Sequence, residues 1–187
     1  MLKKGQVIYI RGEKNVVINM IEFKEGTWVW QEYEIVNVQT HKHTWLSIEP
    51  DENNRLEYYV YEPYRGFVNE SNIEFNVNEK KYKLYESGNA YVKSYFGNAD
   101  VDIHELCNFF DYLCEEDNTI ISVENWDGER EVSIGYKIYD NELNVTEEID
   151  KKNAKKANTK RSNDIYWCNI SIFYNLYFFN GSRFINK

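Results

Sequence analysis

The sequence predicts a mainly β fold: two similar antiparallel β-meander modules packed as a barrel- or sandwich-like body, with at most one short helix near 102–108. Three observations point there. Short runs rich in branched and aromatic residues alternate with turn chemistry along most of the chain. The same pattern of runs recurs roughly seventy residues further on. Proline and glycine are scarce, 2 and 9 in 187 residues, so few breakers interrupt the runs.

In the first half, residues 7–10, 16–23, 28–36, 44–49 and 56–61 read as strands. Between them lie Arg11-Gly12, Glu25-Gly26, the polar stretch 39–43 and the acidic turn Pro50-Asp-Glu-Asn-Asn54, all suited to reversing the chain. The second half lays over the first. "LSIEPDENNRLEYYVYE" (46–62) corresponds to "ISVENWDGEREVSIGYKIYD" (121–140), and Glu32-Tyr33 corresponds to Asp111-Tyr112. Asp127-Gly128 is a good hairpin turn. Upstream, 82–85 and 91–95 flank Ser87-Gly88-Asn89 and read as paired strands. Asp102-Ile-His-Glu105 has the form of a helix-capping box, which is why a short helix is expected there before a strand near 109–113.

These readings divide the chain into a first β module (1–65), a second (66–148), a basic linker (149–162) and aromatic C-terminal strands (163–187). The segment 151–161 carries six basic residues and no acid, the composition of a solvated stretch. Asn180-Gly181 suggests a terminal hairpin.

Composition removes some functions. A formal net charge of -9 repels phosphate backbones, so no nucleic-acid partner is expected. Three cysteines form neither a paired framework nor a Cys-x-x-Cys, which suits a reducing compartment and a cytoplasmic location. The N-terminal apolar run is broken at Arg11 and Glu13, unlike a signal peptide. The most apolar segment, 165–179, is too short to cross a bilayer. No Ser-His-Asp set, phosphate loop or dinucleotide fingerprint occurs, so no catalytic residue is assigned, no cofactor is expected, and whether the chain is an enzyme stays open.

The candidate ligand-binding residues are Trp28, Trp30, Glu32, Tyr33, Trp45, Glu49, Glu124 and Trp126. Strand parity puts Trp28, Trp30, Glu32 and Glu34 on one face and Tyr33 on the other. Trp28, Trp30 and Glu32 then either form a platform for a cationic or carbohydrate-like group or sit in the core. Glu49 and Glu124 hold equivalent places in the two copies. With Glu32 they either share a cleft or end strands as hydrogen-bond acceptors. No metal site is expected. His41, His43, His104 and Cys107 have the donor types for zinc but lack a paired ligand motif.

Trp28, Glu32-Tyr33, Trp45-Leu-Ser-Ile-Glu49, Asp111-Tyr112, Ile121-Ser-Val-Glu-Asn-Trp126 and Gly135, taken in that order, resemble the bacterial domain-of-unknown-function family 4178 over about residues 3–140. The resemblance implies no reaction, cofactor or ligand. It does imply an accessory role, because such genes often lie beside membrane-associated or stress-response genes. The tail from 150 onward departs from the family pattern. The reading is therefore a non-catalytic all-β interaction module for a protein or small ligand. The alternatives are a peripheral membrane-associated stress accessory using 151–179, and a glutamate- or metal-dependent enzyme. Strand edges are a candidate route to a homo-oligomer.

Overall fold

A computed structural model describes residues 1–156. The expected tail hairpin and the aromatic part of the basic arm lie outside the described residues. Eleven strands form one continuous antiparallel sheet: β1 (Gln6–Ile10), β2 (Glu13–Glu25), β3 (Trp28–Asn37), β4 (His43–Pro50), β5 (Leu56–Pro63), β6 (Glu74–Val77), β7 (Lys80–Phe96), β8 (Leu106–Cys114), β9 (Thr119–Asn125), β10 (Arg130–Ile138) and β11 (Leu143–Ile149). A 3-10 turn at Asp140–Glu142 precedes β11.

The sheet closes on itself. β2, β3, β4, β5, β10, β9, β8 and β7 pair in that order, and β7 returns to β2. The result is a closed eight-stranded antiparallel barrel with β1, β11 and β6 outside it. Closure depends on the long β2, which serves two neighbours along one edge. Residues 13–16 pair with β1 and residues 20–24 with β7. The hand-over falls at a register shift between Val17 and Asn19, where a bulge re-aims the strand. Asn19 fills the irregularity: its Oδ1 accepts from the Asn98 amide at 2.8 Å, and its Nδ2 donates to Glu34 at 2.6 Å.

The main apolar cores lie outside the barrel wall. Val17, Met20, Tyr33, Ile35, Leu46 and Val60 pack under Leu2, Ile8 and Ile10 where β1 curls across the wall. On the other half, Tyr112, Cys114, Ile121 and Val123 pack under Val68, in the chain leading into β6, and under Phe75 of β6 itself. Residues 151–156 are helical, and Ala154 is buried against Val7, Val16 and Val36. The lysines of this stretch stay exposed, as a solvated segment requires, but the segment is docked by its alanine.

Two local expectations are corrected. Residues 82–85 and 91–95 are not separate strands around a turn; they belong to the single strand β7. Gly88 is there because Glu25 lies against it, where a Cβ would come within 2.3 Å of that carboxylate, and Glu25 Oε1 accepts the Asn89 amide at 2.7 Å. Residues 102–105 form a turn and not a helix. The Glu105 side chain does accept the Asp102 amide at 2.7 Å, as in a capping box. His104, however, has φ 71°, and β8 begins at Leu106, so no helical turn propagates.

Candidate functional site: the barrel lumen

In a barrel, alternate residues of every strand point inward. The residues that pack in the outer covers identify the outward set, so their neighbours face the lumen. On β3 and β4 the inward residues are Trp30, Glu32, Trp45, Ser47 and Glu49, with Glu32 opposite Ser47. On β8 and β9 they are Cys107, Phe109, Asp111, Ser122 and Glu124, with Asp111 opposite Ser122 and Phe109 opposite Glu124. Tyr61 of β5 stands between Trp45 and Gly135. A Cβ at Gly135 would come within 2.4 Å of the Tyr61 ring, so the missing side chain makes room for that ring.

Two chemistries line this space. One is aromatic: Phe23 and Trp30 stack with centroids 5.3 Å apart, Trp126 lies 5.8 Å from Phe23, and Phe109 meets Trp30 edge-on at 6.0 Å. The other is acidic: Glu32, Glu49, Asp111 and Glu124 all face inward. Trp30 Nε1 donates to Glu32 Oε1 at 3.1 Å. Trp126 lies near enough to Glu124, and Ser122 to Asp111, for each to favour the ionised form of its neighbour. Cys107 Sγ lies 3.9 Å from Glu124 Oε2.

Enclosure keeps these acids protonated to unusually high pH, because burial disfavours the charged form. Burial first, then the charges of Asp111, Glu32 and Glu86, push Glu49 up to about 8. Burial raises Asp111 to about 6 against the opposing influence of Ser122. Glu32 and Glu124 form a mutually repelling pair, and both are raised, chiefly by burial and further by neighbouring acids. Burial also lifts the Tyr61 hydroxyl far above its ordinary value, with Asp111, Glu49 and Glu32 adding to the effect. The Asp111 Oδ1 atom is buried without a hydrogen-bond partner. The four carboxyl residues nevertheless keep some accessible surface.

Glu34 offers a contrast on the same face of β3. It is buried, but it accepts from Asn19 and meets His43 Nδ1 at 2.7 Å. It is thus a satisfied structural acid at the hand-over end of β2.

Of the residues singled out from sequence, the structure brings Trp30, Glu32, Trp45, Glu49, Glu124 and Trp126 to the lumen or its aromatic margin. Trp28 shares their parity but lies at the hairpin end of β3, about half exposed (49%). Tyr33 points the other way into the outer core, and its hydroxyl accepts the Leu2 amide at 3.2 Å. The four zinc-type residues go elsewhere: His43 to Glu34, His104 beside Tyr91, Cys107 into the lumen, and His41 into a turn at φ 61°. Among the described residues no three His, Cys, Asp or Glu side chains are arranged to hold a metal ion.

Asp111, Tyr61, Ser47 and Ser122 were missed as site residues. Asp111 had a usable signal, since Asp111-Tyr112 aligns with Glu32-Tyr33. The serines had one too, each lying two residues before an aligned glutamate. Tyr61 had none, because its role depends on Gly135, a neighbour only across the closed sheet. Among the described residues no helix is long and apolar enough to cross a membrane.

Against known families, the description "Domain of unknown function (DUF4178)" matches residues 3–139, and the chain belongs to that family. This is the family that the tryptophan, glutamate-tyrosine and serine motifs resemble. No curated protein and no solved structure matches the chain.

Proposed function

We propose that this protein is a non-catalytic binding module whose site is the barrel lumen, and that the guest is a small organic cation. The observation that carries the reading is Asp111: its Oδ1 is buried and unpartnered, and Glu32, Glu49 and Glu124 share the inward face with it. A buried acceptor left without a donor is costly, by about 1–3 kcal/mol, and is uncommon in finished structures. An ammonium group supplies both the missing donor and the missing countercharge. The ring faces of Phe23, Trp30, Phe109 and Trp126 suit the same guest, since a cation over an aromatic face gains about 0.5–2 kcal/mol. The partial accessibility of the carboxyl residues supports entry.

The test is calorimetry and thermal denaturation of the full chain with n-alkylammonium salts at pH 8, using sodium chloride of equal ionic strength as the control. Saturable binding and an upward shift in Tm are expected, both weakened in Asp111→Asn and lost in the double variant Asp111→Asn with Glu32→Gln. A response no larger than that to sodium would overturn the reading.

A second reading draws on acids near neutrality. Asp111 at about 6 and Glu49 at about 8 are poised for proton transfer. Turnover of a substrate in a broad hydrolase screen, abolished by Glu124→Gln, would replace the binding function with a catalytic one. The matching registers on β3–β4 and β8–β9 favour descent of the two halves from one repeated unit. The free, buried Cys107 and Cys114 favour a reducing, cytoplasmic setting.

A further inference from the structure

The lumen holds two like stations. In the first, Glu32 of β3 faces Ser47 of β4 across the ladder and receives the Trp30 N–H. In the second, Asp111 of β8 faces Ser122 of β9, with Phe109 beside Glu124 in the next inward rung. Around the barrel, β3 is separated from β8 by β2 and β7, and β4 from β9 by β5 and β10. The stations therefore stand in opposite halves of the wall. They nonetheless face one interior, because the eight strands close into a single barrel through the β2–β7 pairing, and Asp111 lies near enough to Glu32 and Glu49 for its charge to bear on both.

We infer that the lumen takes a linear diammonium ion, one ammonium at Glu32 and Ser47 and the other at Asp111 and Ser122, with its methylene chain against the aromatic wall. The inference rests on the lumen being the binding site and names the ligand class for it. A single ammonium answers one station and leaves the carboxyl of the other without a countercharge. Two separate monocations answer both, but each loses its own translational freedom and they repel one another in a confined space. Linking the two charges makes the second contact intramolecular, which raises avidity by about 10²–10⁴ when the span fits. Asp111 Oδ1, buried and without a donor, is the atom at which the second ammonium is most needed.

The experiment titrates the full chain at pH 8 with α,ω-diammonium alkanes of increasing length, each against the n-alkylammonium ion of equal length. The expected result is one diammonium per chain, bound at least about 100-fold more tightly than its monoamine at the best length. Asp111→Asn and, separately, Glu32→Gln should each reduce the diammonium to the affinity of its monoamine. Glu124→Gln provides a further variant should either of these fail to fold by circular dichroism. Equal affinities for the two series, or a diammonium advantage that survives both station variants, would overturn the two-station inference while leaving the lumen as a cation site. Binding of neither series would remove the lumen reading itself.

Discussion

Glu32 and Tyr33 are neighbours in sequence and opposites in environment, and Asp111 and Tyr112 repeat the arrangement on β8. The acid of each pair enters the lumen. The tyrosine enters an outer core and ties down the segment that covers it. The Tyr33 hydroxyl accepts the Leu2 amide, and the Tyr112 hydroxyl donates to the Glu70 carbonyl at 3.1 Å. Period-two alternation thus sorts two jobs onto one strand. The outer faces carry the close-packed aliphatic residues that hold the fold. The lumen carries a smaller apolar cluster of Ile21, Phe23, Ala90, Val92 and Cys107, together with carboxyls whose burial weakens the fold once they ionise. A barrel of this size can fill its interior with side chains alone; this one instead encloses carboxyls, one of them with an orphaned acceptor.

Truncation of equivalent outward residues on the two halves should have the largest effect. Leu46 and Ile121 are fully buried in the two covers. Leu46→Ala and Ile121→Ala should each lower stability by about 2–5 kcal/mol, because a lost aliphatic side chain leaves a cavity in packed surroundings. Urea unfolding at pH 6 measures this. Losses below about 1 kcal/mol would mean that the lumen, and not the covers, is the core.

Lumen substitutions should have the opposite sign at high pH. Glu49 has an ordinary value of 4.5 and stands at about 8 in the fold. A carboxyl whose folded value is raised contributes fully to stability below its unfolded value, and that contribution is lost as pH rises through the folded one. For Glu49 the window runs from 4.5 to about 8, and the loss is about 1.4 kcal/mol per pH unit for each such group. Stability should therefore fall steadily from pH 5 to pH 8. Glu49→Gln should flatten the fall by roughly one proton, and Asp111→Asn should raise stability at pH 8 by about 1–2 kcal/mol. A pH-independent Tm in the wild-type chain would contradict the enclosure of these acids. An added cation guest should reverse the trend, since it stabilises the ionised carboxyls.

Much of this was legible beforehand because the relevant signals are local. The alternation in 28–36 and the turn residues at 11–12, 25–26 and 50–54 placed β1 to β5 within a few residues of their observed ends. The equivalence of Glu49 and Glu124 placed both acids on like faces. What sequence could not fix was anything set by barrel closure. Ser87-Gly88-Asn89 looked like a turn because glycine usually marks one, whereas here the glycine yields space to Glu25 from another strand. The 102–105 box carried correct capping chemistry, but β8 had to start at Leu106 to pair with Tyr91, and pairing prevailed over helix propensity. Whether Trp30 packed or bound had no answer along the strand, because its partners Phe23, Phe109 and Trp126 come from three other places in the chain.

The finest probe of the boundary between the two regions is Gly135. The Tyr61 ring rests where a side chain at 135 would be, and Tyr61 is also the inward residue nearest in register to Trp45. Gly135→Ala must displace the Tyr61 ring. Overpacking of this kind costs about 1–3 kcal/mol, offset in part by the gain of roughly 0.5–1 kcal/mol from replacing glycine within a strand. The net stability loss should be about 1 kcal/mol, smaller than for any outward truncation. Its effect on the lumen should be disproportionate: weaker cation binding and an altered tyrosine signal in the near-ultraviolet, with the secondary structure intact. If Gly135→Ala instead lowered stability as much as Leu46→Ala while leaving cation binding unchanged, Tyr61 would belong to the structural core, and the division between a load-carrying exterior and a receptive interior would have to be redrawn at β5.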